Sequence, residues 1–104
     1  MPTRIEIHEE GPREGFQIER PGFSIADRAA LVEALADAGL RQIQVASFVN
    51  PKRVPQMADA AELFAAIRKK PGVRYTGLWL NTQGFERARA TGPVDLVGSL
   101  YFYA

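Results

Sequence analysis

The feature that most constrains the fold is the order of strand-like and helix-like segments along the chain. Four short apolar or alternating segments are separated by three segments with helical spacing of apolar residues. The predicted strands span residues 3–8, 42–46, 73–80 and 94–103, and the predicted helices span about 24–38, 58–69 and 83–90. This βαβαβαβ order predicts an α/β fold with a parallel sheet and right-handed crossovers.

The helix boundaries carry clear local signals. Ser24 is a predicted N-cap with Asp27 three residues later, and Gly39 is the predicted stop of the same helix. Its buried stripe is predicted at Leu31, Ala34, Leu35 and Ala38. The next helix is predicted to bury Leu63, Phe64 and Ile67.

Composition excludes several classes of function. Thirteen basic and 12 acidic residues give a net charge of +1, without the basic excess of a nucleic-acid binder. The absence of cysteine excludes disulfides, zinc–thiolate sites and cysteine nucleophiles in this stretch. No apolar run is long enough for a signal peptide core or a membrane span, so no membrane partner and a cytoplasmic location are expected.

Active sites of parallel α/β folds lie at the carboxyl ends of the strands, which directs attention to two polar loops. The first follows strand one and contains Glu9, Arg13, Glu14 and Gln17. A carboxylate beside an arginine fits a divalent cation next to an oxyanion-stabilising guanidinium. The alternative is a solvated turn with a surface ion pair.

The second loop, residues 47–57, contains Lys52 and Arg53, which fit either a phosphate contact or a proline-stiffened surface loop. His8, the only histidine, is either a ligand or a packing residue. No G-x-G-x-x-G or Walker loop is present, which disfavours a nucleotide-binding fold. The chain ends in an apolar predicted strand, so cover from a missing C-terminal part or a partner is expected.

At these loops the sequence resembles the 3-hydroxy-3-methylglutaryl-CoA (HMG-CoA) lyase family. GPREGFQ is similar to the family's GPRDGLQ after strand one, a motif shared with related synthases, carboxyltransferases and aldolases. ASFVNPKRVPQMADA is similar to TSFVSPK-x-VPQMAD, and LNTQGFERARATG is similar to PNLKGFEAA-x-AAG. The second stretch is the more specific to the lyase branch, and the likeness covers nearly the whole chain.

The resemblance implies the first half of a (β/α)₈ barrel, because a complete barrel needs roughly 250 residues and the chain has 104. Residues 1–104 are then one N-terminal portion of a single barrel domain, truncated at its C-terminal end. The inward faces would leave apolar side chains uncovered, at Ile5, Ile7, Ile43, Val45, Leu78, Leu80, Leu96 and Leu100. The segment alone is therefore expected to be inactive and to self-associate, and a homo-oligomer is predicted.

The implied activity is metal-dependent retro-Claisen cleavage of a 3-hydroxyacyl-CoA to acetyl-CoA and a keto acid. The cofactor is Mg²⁺ or Mn²⁺, with further ligands expected beyond residue 104. The resemblance places the catalytic arginine at Arg13 and a metal-ligand carboxylate at Glu14. It places substrate-binding positions at Glu9, Gln17, Gln44 and Ser47, and, by a weaker match, a CoA-phosphate contact at Arg20.

Two departures from the family pattern bear on specificity. Glu14 stands where the family has aspartate, and Gln44 stands where it has glutamate. The longer carboxylate changes the reach to a metal, and the amide removes a site charge. A related branched 3-hydroxyacyl-CoA, such as citramalyl-CoA, is therefore a second candidate substrate.

Two alternatives to the lyase interpretation stay open. One is a related barrel synthase or aldolase that runs the condensation direction. The other is a non-catalytic half-barrel that assembles with a partner or with a second copy.

Overall fold

The computed structural model describes residues 4–18, 23–48, 52, 57–91 and 95–98. Eight elements follow one another along the chain: β1 (His8–Glu9), α1 (Gly11–Ile18), α2 (Ile25–Asp37), β2 (Gln42–Phe48), α3 (Ala60–Ala66), β3 (Arg74–Trp79), α4 (Thr82–Ala90) and β4 (Asp95–Gly98). The predicted alternation is confirmed. One further helix, α1, occupies a segment that was predicted to be a loop.

The four strands form one parallel sheet in the order β1-β2-β3-β4. Each new strand is added on the same side of the one before it. With right-handed crossovers, this order places the connecting helices α2, α3 and α4 on a single face of the sheet. A doubly wound sheet would instead reverse the strand order and cover both faces with helices.

The hydrophobic core lies between the sheet and the helices. Phe48 of β2 stacks on Phe64 of α3, with ring centroids 5.7 Å apart and an angle of 18° between the planes. Leu63, Phe64 and Ile67 are all buried, as predicted. The core cluster consists of Ala29, Val32, Ala36, Ile43, Val45, Ala46, Phe48, Met57, Ala60, Leu63, Phe64, Ile67, Tyr75 and Ala88.

Helix α2 begins and ends where the sequence predicts, but it is rotated relative to the predicted stripe. Ser24 caps it by accepting a hydrogen bond from the Asp27 N–H at 3.0 Å, and Gly39 follows with a φ of 103°. The stripe predicted at Leu31, Ala34, Leu35 and Ala38 is wrong, because only Leu35 of the four is even partly buried. The buried residues are Arg28, Ala29, Val32 and Ala36.

An ion pair accounts for this rotation. Two apolar stripes share helical spacing in this alanine-rich helix, so the pattern alone does not choose between them. The Arg28 guanidinium is buried and donates from Nη1 to Asp59 Oδ1 at 2.7 Å, just before α3. The long stem of Arg28 thereby joins the core side of α2, and Leu31 remains 39% exposed.

The predicted inward-facing set also needs correction. The first strand was predicted over residues 3–8, but only His8–Glu9 pairs with β2, and Ile5 and Ile7 are 83% and 64% exposed. Ile43 and Val45 belong to the core beside the helices rather than to the opposite face. Ile43 is aligned with Tyr75 of β3, which belongs to the same core cluster, and a β-bulge between Gln44 and Ala46 then breaks the strict alternation along β2.

Helix α3 is shorter than predicted, spanning Ala60–Ala66 instead of residues 58–69. The chain then turns through Gly72, whose φ of 84° is a conformation that glycine adopts without strain. Among the described residues, no helix combines the length and apolarity needed to cross a bilayer.

Candidate functional site at the carboxyl ends of the strands

Helix α1 begins immediately after β1 and is capped from the strand end. The Glu9 carboxylate accepts a hydrogen bond from the Gly11 backbone N–H at 2.8 Å. This contact satisfies one of the N–H groups that a helix start leaves without an intrahelical partner. The backbone N–H groups of Arg13 and Glu14 both bond to the Glu10 carbonyl, at 3.0 and 2.8 Å. Arg13 is therefore held in the first turn of α1, just beyond the sheet edge.

Arg13 reaches from α1 to β2. Its Nε donates to Gln44 Oε1 at 2.7 Å, across 31 positions of sequence, and its side chain is only 14% exposed. Gln44 itself is buried, at 5% exposure. Two residues that the resemblance assigned separately are thus in direct contact.

The β-bulge of β2 places Gln44 and Ser47 on the same face of the sheet. Residues three apart in a regular strand point to opposite faces. Here Gln44 is aligned with Thr76 of β3 and Ser47 is aligned with Leu78, and Thr76 and Leu78 share one face. The extra residue in β2 thus brings Ser47 to the face that Gln44 already occupies, away from the core and on the Arg13 side.

Two carboxylates flank the guanidinium. Arg13 Nη2 lies 3.5 Å from Glu10 Oε2 and 4.0 Å from Glu14 Oε1. Glu10 and Glu14 are 47% and 65% exposed, so solvent screens both pairs. The contact between Arg13 and Glu10 was missed because it depends on i,i+3 helical spacing in a segment that was predicted to be a loop.

The other sequence-predicted residues differ in exposure and in how much of each the structure describes. Ser47 is fully buried, and Lys52 lies in a turn and is exposed. The backbone of Gln17 belongs to α1, but its side chain lies outside the described part of the structure, as do Arg20 and Arg53. Glu9 lies at the strand end, with one carboxylate oxygen engaged by the α1 cap.

His8 belongs to a separate surface group. Its Nε2 lies 3.2 Å from Glu6 Oε1, and its Nδ1 lies 3.2 Å from Gln42 Nε2. The side chain is 52% exposed. The packing role weighed for this histidine is therefore wrong, and its described contacts are to Glu6 and Gln42.

The carboxyl end of β2 is fixed by α4. Asn81 caps α4 by accepting from the Gly84 N–H at 2.8 Å, and Gly84 is packed directly against the Phe48 carbonyl oxygen. A Cβ at Gly84 would overlap that oxygen. Helix α4 can approach the sheet edge this closely only because residue 84 is glycine.

The donor set for a metal ion is limited. No cluster of three or more His, Cys, Asp or Glu side chains suited to a metal occurs within the part of the chain that the structure describes. Glu14 offers a largely exposed carboxylate beside the Arg13 cluster. Carboxylate oxygen is the ligand that Mg²⁺ and Mn²⁺ prefer, so the chemistry of this donor fits, as a single ligand.

The known proteins most worth comparing with this chain are HMG-CoA lyases. Over 92 residues the chain is 49% identical to the 3-hydroxy-3-isohexenylglutaryl-CoA/hydroxy-methylglutaryl-CoA lyase of Pseudomonas aeruginosa, covering 88% of this chain and 31% of the relative. Over 97 residues it is 43% identical to the mitochondrial hydroxymethylglutaryl-CoA lyase of Homo sapiens. That match covers 93% of this chain and 30% of the human relative. No family model matches the chain.

Solved structures that resemble this chain are also HMG-CoA lyases. The P. aeruginosa hydroxymethylglutaryl-CoA lyase superimposes with a TM-score of 0.85 at 46% identity, over 93% of this chain and 32% of that one. An HMG-CoA lyase from Acenitobacter baumannii, solved in complex with coenzyme A and 3-methylmalate, gives a TM-score of 0.78 at 32% identity. The match covers 83% of this chain and 28% of that one. The chain thus spans about a third of the length of the relatives it matches. The predicted fold, a barrel half, is confirmed at that level.

Proposed function

Because the chain is HMG-CoA lyase-like in sequence and fold, we propose that it forms part of a carbon–carbon lyase that cleaves a 3-hydroxyacyl-CoA to acetyl-CoA and a keto acid. The observation that carries the proposal is the 2.7 Å hydrogen bond between Arg13 Nε and Gln44 Oε1. It joins the motif after β1 to strand β2 and holds the largely buried guanidinium of Arg13 at the carboxyl edge of the sheet.

Arg13 is the proposed catalytic residue. Cleavage leaves negative charge on the thioester oxygen of the departing acetyl-CoA enolate. A guanidinium that is already held in place stabilises that charge without reorganising during the reaction. The capped α1 and the contact with Gln44 provide this preorganisation for Arg13.

Glu14 is the proposed metal ligand from this segment, with Mg²⁺ or Mn²⁺ as the ion and the remaining ligands expected beyond residue 104. When bound, such an ion polarises the substrate hydroxyl and carboxylate oxygens and favours loss of the hydroxyl proton. Glu14 is exposed enough to turn towards an ion without breaking a buried contact, because its pair with Arg13 is long and solvated.

The remaining proposed roles concern substrate binding. Gln44 and Ser47 share the sheet face beside Arg13, which supports a role in holding the acyl part of the substrate. Glu9 caps the start of α1 by accepting a hydrogen bond from the Gly11 N–H. Its proposed second role is to bind substrate at the same carboxyl edge of the sheet. Gln17, and Arg20 as a CoA-phosphate contact, are proposals from the resemblance alone.

An acyl-CoA is the proposed substrate, and a homo-oligomer in the cytoplasm is the proposed state of the protein. The named CoA thioesters of the relatives and the coenzyme A in one neighbouring structure support the substrate class. The cytoplasmic location is a proposal from the sequence alone, and the human relative is by name mitochondrial.

The test is an assay of HMG-CoA cleavage by the protein as its gene encodes it, with acetyl-CoA and the keto acid both quantified. Citramalyl-CoA is assayed in parallel, with and without added Mg²⁺ or Mn²⁺. Formation of both products from either thioester supports the lyase. Condensation without cleavage would favour the synthase alternative, and no reaction in either direction would favour the non-catalytic half-barrel.

The metal role has a test independent of turnover. Calorimetric titration with Mn²⁺ should show that Glu14→Gln weakens binding much more than Glu14→Asp, because only the amide loses the anionic oxygen. Glu62→Gln, a substitution on α3 far along the chain from this loop, is the matched control. Equal affinity in all four proteins would leave Glu14 as a surface residue of α1.

A further inference from the structure

We infer that Glu10 is a positioning residue for the proposed cleavage, holding the guanidinium of Arg13 in one orientation, a conclusion that rests on the proposed function. Glu10 lies between the end of β1 and the start of α1. Its carboxylate oxygen Oε2 lies 3.5 Å from Arg13 Nη2. Glu10 acts through this contact and takes no part in the proposed metal or substrate contacts.

The main chain beneath Arg13 is fixed without the help of the Glu10 side chain. The Glu10 carbonyl accepts hydrogen bonds from the N–H groups of Arg13 and Glu14. The side chain of Pro12, in the first turn of α1, is fully buried, and Glu9 caps the same turn. These contacts survive when the Glu10 side chain is shortened, because they use its backbone or other residues. The contribution of the Glu10 side chain is therefore confined to the far end of Arg13.

The guanidinium is held at two of its three nitrogens. Nε donates to Gln44 Oε1 at 2.7 Å, and Nη2 lies against the Glu10 carboxylate. Because a guanidinium is planar, contacts at two of its nitrogens fix the direction of the third. Among the described residues, Nη1 of Arg13 has no hydrogen-bond or ion-pair partner. Nη1 is therefore the nitrogen left to meet the oxygen on which charge develops.

The bond to Gln44 alone leaves the guanidinium two motions. Its plane can tilt about the line from Nε to Gln44 Oε1, and Nη1 and Nη2 can exchange places by rotation about the Nε–Cζ bond. The Glu10 contact opposes both motions, because it engages one of the two terminal nitrogens. Misplacing a catalytic group by about 1 Å can cost about 10²-fold in rate, so a modest restraint on Arg13 is sufficient to affect turnover.

Glu10 suits this role better than Glu14, the other carboxylate near Nη2. The Glu14 carboxylate is farther away, at 4.0 Å, and its side chain is more exposed. Glu14 is also the proposed metal ligand, a role that would draw it away from Arg13. Because Glu10 is itself 47% exposed, its pair with Arg13 contributes little to stability. Loss of the Glu10 side chain should therefore change the rate of cleavage with little change in stability.

The kinetic test is steady-state cleavage of HMG-CoA by the protein as its gene encodes it. Glu10→Ala should lower kcat by about tenfold and leave KM within about twofold, because the substrate still binds but meets a less ordered guanidinium. Glu10→Gln keeps an acceptor at the same reach and should lose less than about threefold in kcat. Glu86→Ala is the matched control and should leave kcat unchanged, since Glu86 forms the same i,i+3 pair with Arg89, at 3.7 Å, on α4.

Three outcomes of these kinetics would overturn the inference. Equal losses in Glu10→Ala and Glu10→Gln would assign the effect to charge, and a loss confined to KM would assign it to binding. In an Arg13→Ala background, Glu10→Ala should change kcat by less than about twofold, because no guanidinium remains to be oriented. A further loss as large as that in the unsubstituted protein would show that Glu10 acts independently of Arg13. Denaturation midpoints of Glu10→Ala and Glu86→Ala should be alike, and a lower midpoint for Glu10→Ala alone would make its role structural.

A second measurement does not depend on cleavage. Heteronuclear NMR of arginine side chains reports rotation about the Nε–Cζ bond, and the Arg13 signal is assigned by its loss in Arg13→Lys. Glu10→Ala should speed the exchange of Nη1 with Nη2 by about threefold or more, the factor expected when one hydrogen-bonding contact is lost. Unchanged exchange in an active lyase contradicts only this inference. Faster exchange in a protein that cleaves no thioester contradicts the proposed lyase and leaves Glu10 as a residue that orients Arg13.

Discussion

The two faces of the sheet differ in composition and in what they do. The face beside α2, α3 and α4 carries apolar side chains such as Ile43, Phe48 and Tyr75, which are packed into one cluster. The opposite face carries Gln44, Ser47 and Thr76, all buried but polar. A sheet of alternating side chains thereby separates the residues that stabilise the fold from those that can do chemistry.

The largest effect is expected from the core face. Phe64→Ala should lower the free energy of unfolding by about 3–5 kcal/mol, because it leaves a cavity and removes the stack on Phe48. Chemical denaturation monitored by circular dichroism measures this change. Leu31→Ala on α2 is the control, since Leu31 is 39% exposed and should cost far less. A similar loss in both variants would mean that the helix-side cluster is not the main source of stability.

The next effect belongs to the polar face. For the proposed lyase activity, Arg13→Ala in the protein as its gene encodes it should reduce kcat by roughly 10²–10³, or about 3–4 kcal/mol, with a much smaller change in KM. Steady-state cleavage of the CoA thioester measures both constants. Arg89→Ala, on the exposed side of α4, should leave kcat unchanged. An effect of Arg13→Ala confined to KM would assign Arg13 to binding instead.

A third substitution acts at the boundary between the two faces. Gly84→Ala should cost about 1–3 kcal/mol, because the new methyl group pushes α4 away from the end of β2. The control is Gly15→Ala in α1, where a Cβ meets no atom within 4 Å and helix propensity favours alanine. Thermal unfolding of the two variants should therefore shift in opposite directions, and parallel shifts would contradict the close packing at Gly84.

The smallest effect is local to one helix. Ser24→Ala should destabilise the protein by about 1 kcal/mol, because it removes the acceptor for the Asp27 N–H. Ser24→Asp is the control that keeps an acceptor and should retain most of the stability. Denaturation midpoints compare the three proteins, and equal midpoints for Ser24→Ala and the unsubstituted chain would show that solvent replaces the cap.

Local signals in the sequence were sufficient for much of the fold. The Ser24 cap, the Gly39 stop and the apolar residues of α3 depend on neighbours within a few positions, so a single sequence contains them. The βαβαβαβ order follows from the same local periodicities together with the handedness of crossovers. The motif after β1 also identifies Arg13 and Glu14 as candidate site residues from the sequence alone.

The tertiary structure decided what depends on distant residues. The rotation of α2 follows from the pairing of Arg28 with Asp59, 31 positions away, and this pairing competes with an equally regular apolar stripe. The contact between Arg13 and Gln44 needs a helix where a loop was predicted, and the position of Ser47 on the same face as Gln44 needs a bulge between Gln44 and Ala46. The sequence by itself determined which elements form, because the signals for helices and strands are local. Packing between elements decided which faces those elements bury, because ion pairs and bulges change a side chain's direction without changing the local pattern.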